Sequence, residues 1–226
     1  MSYAISTIVS DVQKTIDEIA LNDAEFVGGN DNAEMVEIIK SKVVDAATYI
    51  LDHADSSLIE PDATITEGGT LVAVKDADGN IVCTVLRVPL AKRMLRFQKA
   101  KCDSWPYYVT DVIQWSDGDY AKLRDKYTTG TYQRPKVGFV RGSGKDVIEL
   151  YCPKKTDESY EVSVVYIPTI SDENEVNVPS RLYTSLVYYT AGLTLLTYGE
   201  QRADDMFNQA LVMMGINPTA EQTQQQ

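Results

Sequence analysis

The sequence predicts an α+β protein: a helical bundle built from both ends of the chain, with an antiparallel β-rich insertion between them. Three observations predict it. Apolar residues recur at steps of three and four through residues 1–60 and again beyond Pro179. Over residues 61–168 the period falls to two, and short apolar runs alternate with clusters of Gly, Asp, Ser and Thr. Between Arg181 and Glu200 there is no charged residue, so a helix there has no face for water. The expected organisation is therefore an N-terminal helical hairpin over 1–60, a β-rich insertion over 61–168, a connector with a long C-terminal helix over 169–215, and a polar flexible tail over 216–226.

In chain order, Ser2 is placed to cap a first helix whose stripe is Ile5, Ile8, Val9, Val12, Ile16 and Ile19. A polar loop with Gly28 and Gly29 at its centre follows. Asp31 or Asn32 then caps a second helix, with Glu34 reaching back and Met35, Ile38, Ile39, Val43, Ala46, Ala47, Ile50 and Leu51 as its stripe. Neither stripe can be buried by one partner alone, so both are expected to pack on the C-terminal helix.

Pro61 marks the change of regime. Strands are expected at Thr70–Lys75 and 81–88 around an Asp78-Gly79 hairpin turn, which is too short for a calcium loop. Residues 90–101 fit helix or strand; the reading adopted is a loop leading into a strand from Met94. Further strands are expected at 107–115, 132–140, Val147–Tyr151 and 160–167, giving a small antiparallel sandwich or barrel. Gly142-Ser143-Gly144-Lys145 resembles a phosphate loop only superficially. Phe139 stands where the first glycine belongs and Asp146 where a magnesium-binding hydroxyl belongs, so the stretch reads as a hairpin.

The closing helix begins at Pro179 and Ser180 and stops at Gly215 and Pro218. Unbroken, it would reach roughly 50 Å at 1.5 Å per residue, with Gly192 or Gly199 available to bend or divide it. Its second half carries one stripe, Ala203, Met206, Phe207, Ala210, Leu211 and Met214, opposite Asp204, Asp205, Asn208 and Gln209. The uncharged half is short for a membrane span and holds five Ser or Thr residues and four tyrosines. It is expected to be surrounded by protein, including other copies of the chain.

The 226 residues carry a net charge of −12, which argues against wrapping free DNA. The charge is uneven: residues 87–145 hold 13 Lys or Arg against 5 Asp. Such a segment suits an acidic neighbour, or is simply a solvated face. Residues 1–20 read as an amphipathic helix rather than a signal peptide, implying synthesis in a cytoplasm. Cys83, Cys102 and Cys152 show neither disulfide-framework nor zinc spacing, and His53, the one histidine, reads as a helix-end side chain. No catalytic motif is present, and no carboxylate is singled out by an apolar strand context that would raise its pKa. The expectation is no enzyme, no metal and no cofactor. Trp105, Tyr107, Tyr108, Trp115, Tyr120, Tyr127 and Tyr132 lie among the basic residues, which fits either stacking on single strands or sugars or a β core with tyrosine hydroxyls at its rim.

The order of elements, with V-P-L-A-K-R-M-L-R-F, S-W-P-Y-Y-V, G-T-Y-Q-R-P-K-V-G-F-V, I-E-L-Y, V-V-Y-I-P and V-P-S-R-L-Y-T-S-L-V-Y-Y-T-A-G, resembles the head-to-tail connector (adaptor or ring) proteins of tailed bacteriophages. The likeness is closest to those of short-tailed phages, including the crAss-like group. It implies a virion structural protein at the head–tail junction, made in the host cytoplasm. In such a family about a dozen copies form a homo-oligomeric ring beneath the portal protein, next to other tail or ring proteins. DNA would pass through the lumen without sequence-specific binding, and no membrane is involved. On charge and pattern, Arg87, Lys92, Arg93, Arg96, Lys99 and Lys101 are the candidate subunit or portal contacts. Arg181, Tyr183, Leu186, Tyr189 and Leu193 are the candidate ring-building helix positions. The alternative is a β-domain binding module for a glycan or nucleic acid.

Overall fold

The computed structural model describes residues 1–20, 32–59, 63–67, 69–75, 78–125, 127–153, 161–171 and 174–217. The chain forms two compact units, a helical one from Met1–Glu60 with Ile170–Gln226 and a β unit from Pro61–Thr169. The elements begin with β1 (Ser2–Ala4), α1 (Ile5–Ala20) and α2 (Asn32–His53). The β unit contains β2 (Ala63–Glu67), β3 (Thr70–Lys75), β4 (Ile81–Pro89), β5 (Met94–Cys102), β6 (Val112–Gln114), β7 (Lys136–Val140), β8 (Val147–Tyr151) and β9 (Glu161–Pro168). The chain then returns through β10 (Glu175–Asn177) to α3 (Tyr183–Thr197) and α4 (Ala203–Met213).

In the helical unit, Ile5, Ile8, Val9, Val12 and Ile16 of α1 are buried, as are Ile39, Val43, Ala46, Ala47, Ile50 and Leu51 of α2. Both stripes pack on α3, which also packs on α4. Ser185, Leu186, Val187, Thr190, Ala191, Gly192, Thr194 and Leu195 of α3 are buried by this single chain. Most of the cover expected for the uncharged helix comes from three helices of its own chain, while Thr184, Leu196 and Thr197 stay exposed. Two of its buried hydroxyls are absorbed internally, Thr190 Oγ1 donating to the Leu186 carbonyl at 2.7 Å and Thr194 Oγ1 to that of Thr190 at 2.9 Å.

The expected long rod is divided. Gly199, with φ +74°, takes the left-handed conformation that ends α3, and α4 packs back on it. The uncharged helix is thus 15 residues long, about 22 Å. Gly192 lets the two helices approach, since a Cβ there would lie 2.7 Å from Phe207 Cε1. A ladder of rings ties α2, α3 and α4 together: His53 to Tyr49 at 4.2 Å, Tyr49 to Tyr189 at 4.5 Å and Tyr189 to Phe207 at 5.1 Å between centroids. His53 Nδ1 donates to the Tyr49 carbonyl at 2.9 Å.

Ser2 is not a helix cap. It lies in β1, which pairs with β10, and its Oγ donates to Glu175 Oε2 at 2.7 Å. The Tyr3 ring rests on Tyr183, whose hydroxyl donates to Asp11 Oδ2 at 2.7 Å. The segment read as a connector thus contributes a strand. Among the described residues no helix is long and apolar enough to cross a membrane. The glycine loop after α1, the lysine-rich turn before β9 and the end of the glutamine-rich tail lie outside the described residues.

The β unit is a sandwich of a three-stranded sheet, β2-β9-β5, and a five-stranded one, β3-β4-β8-β7-β6. Leu86, Val88, Val137, Phe139, Ile148 and Leu150 from the larger sheet meet Ala100, Cys102, Val162, Val164 and Tyr166 from the smaller. One pairing departs from the antiparallel expectation, β6 running parallel to β7. The strands expected at 107–115 and 132–140 are shorter: Tyr107 and Tyr108 are exposed, and a tight turn from Thr131 to Arg134 followed by Pro135, which has no N–H, delays β7 until Lys136. A 3-10 segment, Gly118–Arg124, was not foreseen. Its Leu123 covers Cys83, Val85 and Tyr151 on the outer face of the larger sheet. Gly138 leaves space for that layer, since a Cβ there would meet Tyr151 at 3.1 Å and Leu123 at 3.2 Å.

The close approach of α3 and α4 sets a test. Gly192→Ala should destabilise the helical unit by about 1–3 kcal/mol, less the ~1 kcal/mol that alanine gains over glycine in a helix. In a Phe207→Leu background the penalty should shrink; urea denaturation followed by far-ultraviolet circular dichroism reads both.

Candidate interaction surface

Strand β5 reads Met-Leu-Arg-Phe-Gln-Lys-Ala-Lys-Cys, and strict alternation would place Arg96 on one face and Lys99 and Lys101 on the other. The observed register is different. Arg96 pairs with Ile167, Phe97 with Tyr166, Lys99 with Val165, Ala100 with Val164 and Lys101 with Ser163, with a slip between Phe97 and Lys99. Directly opposed residues share a face. Phe97, Ala100 and Cys102 therefore join the core side, while Arg96, Lys99 and Lys101 fall in one row on the other. A bulge at Gln98 has gathered three cations that the bare sequence splits.

An aromatic side chain flanks that row. Two backbone hydrogen bonds of 2.9 Å between Ala100 and Val109 hold the 107–109 segment against β5. Lys99 Nζ lies 4.9 Å and Lys101 Nζ 5.6 Å from the centroid of the exposed Tyr108 ring. Tyr107, also exposed, donates its hydroxyl to the Gln133 carbonyl at 3.3 Å. Tyr132, next to Gln133, is exposed as well.

Lys92 and Arg93 are exposed in the turn between β4 and β5. The turn is fixed by Asp146, a buried residue whose carbonyl accepts from Leu90 N at 2.8 Å and whose Oδ2 accepts from Met94 N at 2.8 Å. Tyr166 Oη accepts from Lys92 N at 3.3 Å, and Thr169 N donates to the Arg93 carbonyl at 2.9 Å. Asp146, the residue incompatible with a phosphate loop, thus positions part of the basic surface.

Arg87 does not belong to that surface. It lies across from Glu149 in the β4–β8 pairing and donates to Glu149 Oε1 from Nε at 2.9 Å and Nη2 at 2.7 Å. Glu149 Oε2 accepts from Tyr120 Oη at 2.6 Å and Tyr151 Oη at 2.8 Å. The carboxylate is only 2% exposed, yet both oxygens are satisfied. Burial pushes its pKa up, but the hydrogen bonds from Tyr120, Arg87 and Tyr151 outweigh that and hold it below the ordinary value. Tyr151 is raised by its own burial, then by Glu149.

Glu149 lies in the apolar strand Ile-Glu-Leu-Tyr, yet its pKa is held down rather than raised. The single charge in that run was the available signal. The pKa moves opposite to the direction a general acid needs, and the cluster acts as a structural ion pair. Among the described residues no group of three or more His, Cys, Asp or Glu side chains is arranged to hold a metal ion.

The five helix positions are distributed otherwise than expected. Leu186 is fully buried, Tyr183 bonds Asp11, Tyr189 stacks against Tyr49 and packs on Phe207, and Leu193 is half-buried; Arg181 alone is exposed. Leu186, Tyr183 and Tyr189 belong to the packing of the helical unit itself. Of the six basic positions, Lys92, Arg93, Arg96, Lys99 and Lys101 lie on the turn and on one face of β5, and Arg87 faces Glu149. No protein-family model matches the chain, and no curated protein matches it.

The Glu149 cluster sets the acid response of the β unit. A folded pKa below the unfolded value of 4.5 contributes stability that is fully present above pH 4.5 and is lost as pH falls through the folded value. Both tryptophans, Trp105 and Trp115, lie in the β unit, so intrinsic fluorescence reports on it. Glu149→Gln should cost about 1–3 kcal/mol at neutral pH and flatten the decline in urea midpoint between pH 5 and 3, relative to the unaltered protein.

Proposed function

We propose that this chain is a structural subunit of a homo-oligomeric ring at the head–tail junction of a tailed phage, continuing the DNA exit channel between portal and tail. The observation that carries the reading is the separation of charge. The helical unit holds 5 basic and 19 acidic residues, net −14, whereas the β unit holds 16 and 14, net +2. Within the β unit the row of Arg96, Lys99 and Lys101 concentrates the positive charge, and Lys92 and Arg93 extend it to the neighbouring turn. A head-to-tail ring contact joins unlike surfaces, and an acidic helical unit against the basic strand of the next copy meets that need. Exposed Asp17, Glu34, Glu37, Asp45 and Asp52 are the helical unit's share on α1 and α2. The resemblance in element order supports the same reading. An acidic wall would repel DNA and let it slide through the lumen.

The apolar helix no longer supports assembly, because its own chain covers it. The ring is therefore assigned to charged contacts between subunits and to the portal, with no chemistry of its own. A second reading is favoured by the exposed Tyr108 ring beside Lys99 and Lys101: a β-domain that stacks nucleic-acid bases or sugars.

Mass photometry and negative-stain imaging of the full chain test the proposal. Closed rings are expected at low salt and fewer at high salt, since exposed charge contacts are screened beyond about 8–10 Å at physiological ionic strength. The triple variant Arg96→Glu, Lys99→Glu, Lys101→Glu should stay folded and lose the rings. A protein that remains monomeric at all salt concentrations overturns the ring. Rings unaffected by the charge reversal overturn the assigned surface, and monomers that bind single-stranded DNA or a glycan array favour the second reading.

A further inference from the structure

Cys83 and Cys152 stand far apart in the sequence but share one small site. Alternation along β4 sends Cys83, with Val85, to the outer face of the five-stranded sheet, away from the core between the sheets. Cys152 follows Tyr151 at the end of β8, and a continued strand would turn its side chain to the face opposite Tyr151. Instead Cys152 adopts φ 55°, the one non-glycine among the described residues with positive φ. Its N–H still donates to the Thr84 carbonyl at 2.9 Å, and its side chain joins Cys83 and Tyr151 on the outer face. A left-handed cysteine is strained, and strain of this kind persists where surrounding contacts hold it.

Thr129 closes the site. Its buried Oγ1 donates to Cys83 Sγ at 3.2 Å and stands 3.8 Å from Cys152 Sγ. The hydrogen bond from Cys152, then that from Thr129, draws the Cys83 pKa below the ordinary thiol range. Cys152 moves the other way, first through its bond to Cys83 and then through burial. Hydrogen bonds from a thiol and a hydroxyl favour the thiolate form at Cys83. Cys102 is a contrast: it is buried in the core between the sheets, burial raises its pKa, and its Sγ lies 3.1 Å from Ser104 Oγ.

We propose that Cys83 and Cys152 form an oxidisable pair that small peroxides close to an intramolecular disulfide. The oxidant must be small because Cys83 is 8% exposed, which admits hydrogen peroxide more readily than a bulky disulfide. The Cys83 thiolate attacks one peroxide oxygen, the O–O bond breaks, and the departing hydroxide takes up the proton that Cys83 released, giving water and a sulfenic acid. The Cys152 sulfur then attacks Cys83 Sγ, the S–O bond breaks, and hydroxide leaves as a second water with the Cys152 proton. Two thiols and one peroxide become one disulfide and two waters. The bond would tie β4 to the end of β8 across the outer layer that Leu123 covers.

The test is peroxide treatment of the full chain, quenching with catalase, alkylation of the denatured protein and mass mapping. The unaltered protein should lose the mass of two hydrogen atoms, yield a dithiothreitol-sensitive peptide linking Cys83 to Cys152, and alkylate at Cys102 only. With dimedone present, Cys152→Ser should trap the sulfenic acid on Cys83, whereas Cys83→Ser should give neither adduct nor cross-link at the same dose. Alkylation of all three cysteines in the treated protein, or sulfinic acid on Cys83 with Cys152 free, overturns the proposal. Should either serine variant misfold, the peptide map of the unaltered protein decides alone.

Discussion

A helix with no charge along its length needs cover from water on most of its surface, and most of the helical unit follows from how α3 obtains it, with Thr184, Leu196 and Thr197 left exposed. Leu186, Ala191 and Leu195 are shielded by helices from both ends of the chain, α1 and α2 on the N-terminal side and α4 behind it. The break at Gly199 makes this possible within one chain, because it returns α4 as a cover instead of extending a rod. Threonine hydroxyls along α3 bond back to its own carbonyls, so the burial leaves few polar atoms to satisfy. In the proposed ring, the residues of α3 covered by this packing are not available as a seam between copies.

The β unit sorts its charges by the same logic of satisfaction. Arg87 and Glu149, with the hydroxyls of Tyr120 and Tyr151, form a closed set on the outer face of the larger sheet. Arg96, Lys99 and Lys101 are brought together on one face of the outermost strand of the smaller sheet. Lysines on a sheet edge also discourage unwanted strand pairing, a role that needs no partner. What goes beyond that role is the bulge at Gln98, which spends a ladder position to align the cations, and the aromatic flank of Tyr108.

Elements with a strong periodic signal were legible: both N-terminal helices, the Asp78-Gly79 hairpin, β8 and the entry into β5 at Met94. The change of period at Pro61 lies where the contact pattern also changes units. What was hidden depends on long-range geometry. β1 and β10 are three residues each and exist only because they pair with one another. The parallel pairing of β6 and the 3-10 segment at Gly118–Arg124 have no local pattern of their own. At the basic surface, residue types pointed to the right segment, but one bulge decided which cations share a face. The same locality limit concealed the two sulfurs, since an unusual backbone angle at Cys152 is not written in its neighbours.

The discontinuity of the helical unit has a consequence for how the protein is made. On a ribosome, α1 and α2 emerge first, with stripes such as Ile8, Val12, Ile39 and Ile50 lacking their covering helix. The whole of Pro61–Thr169 must be synthesised before α3 leaves the exit tunnel, so the inserted unit can be finished while the helical one still waits. Nascent chains in that interval carry naked apolar ridges. The cover for those ridges arrives only with α3 and α4.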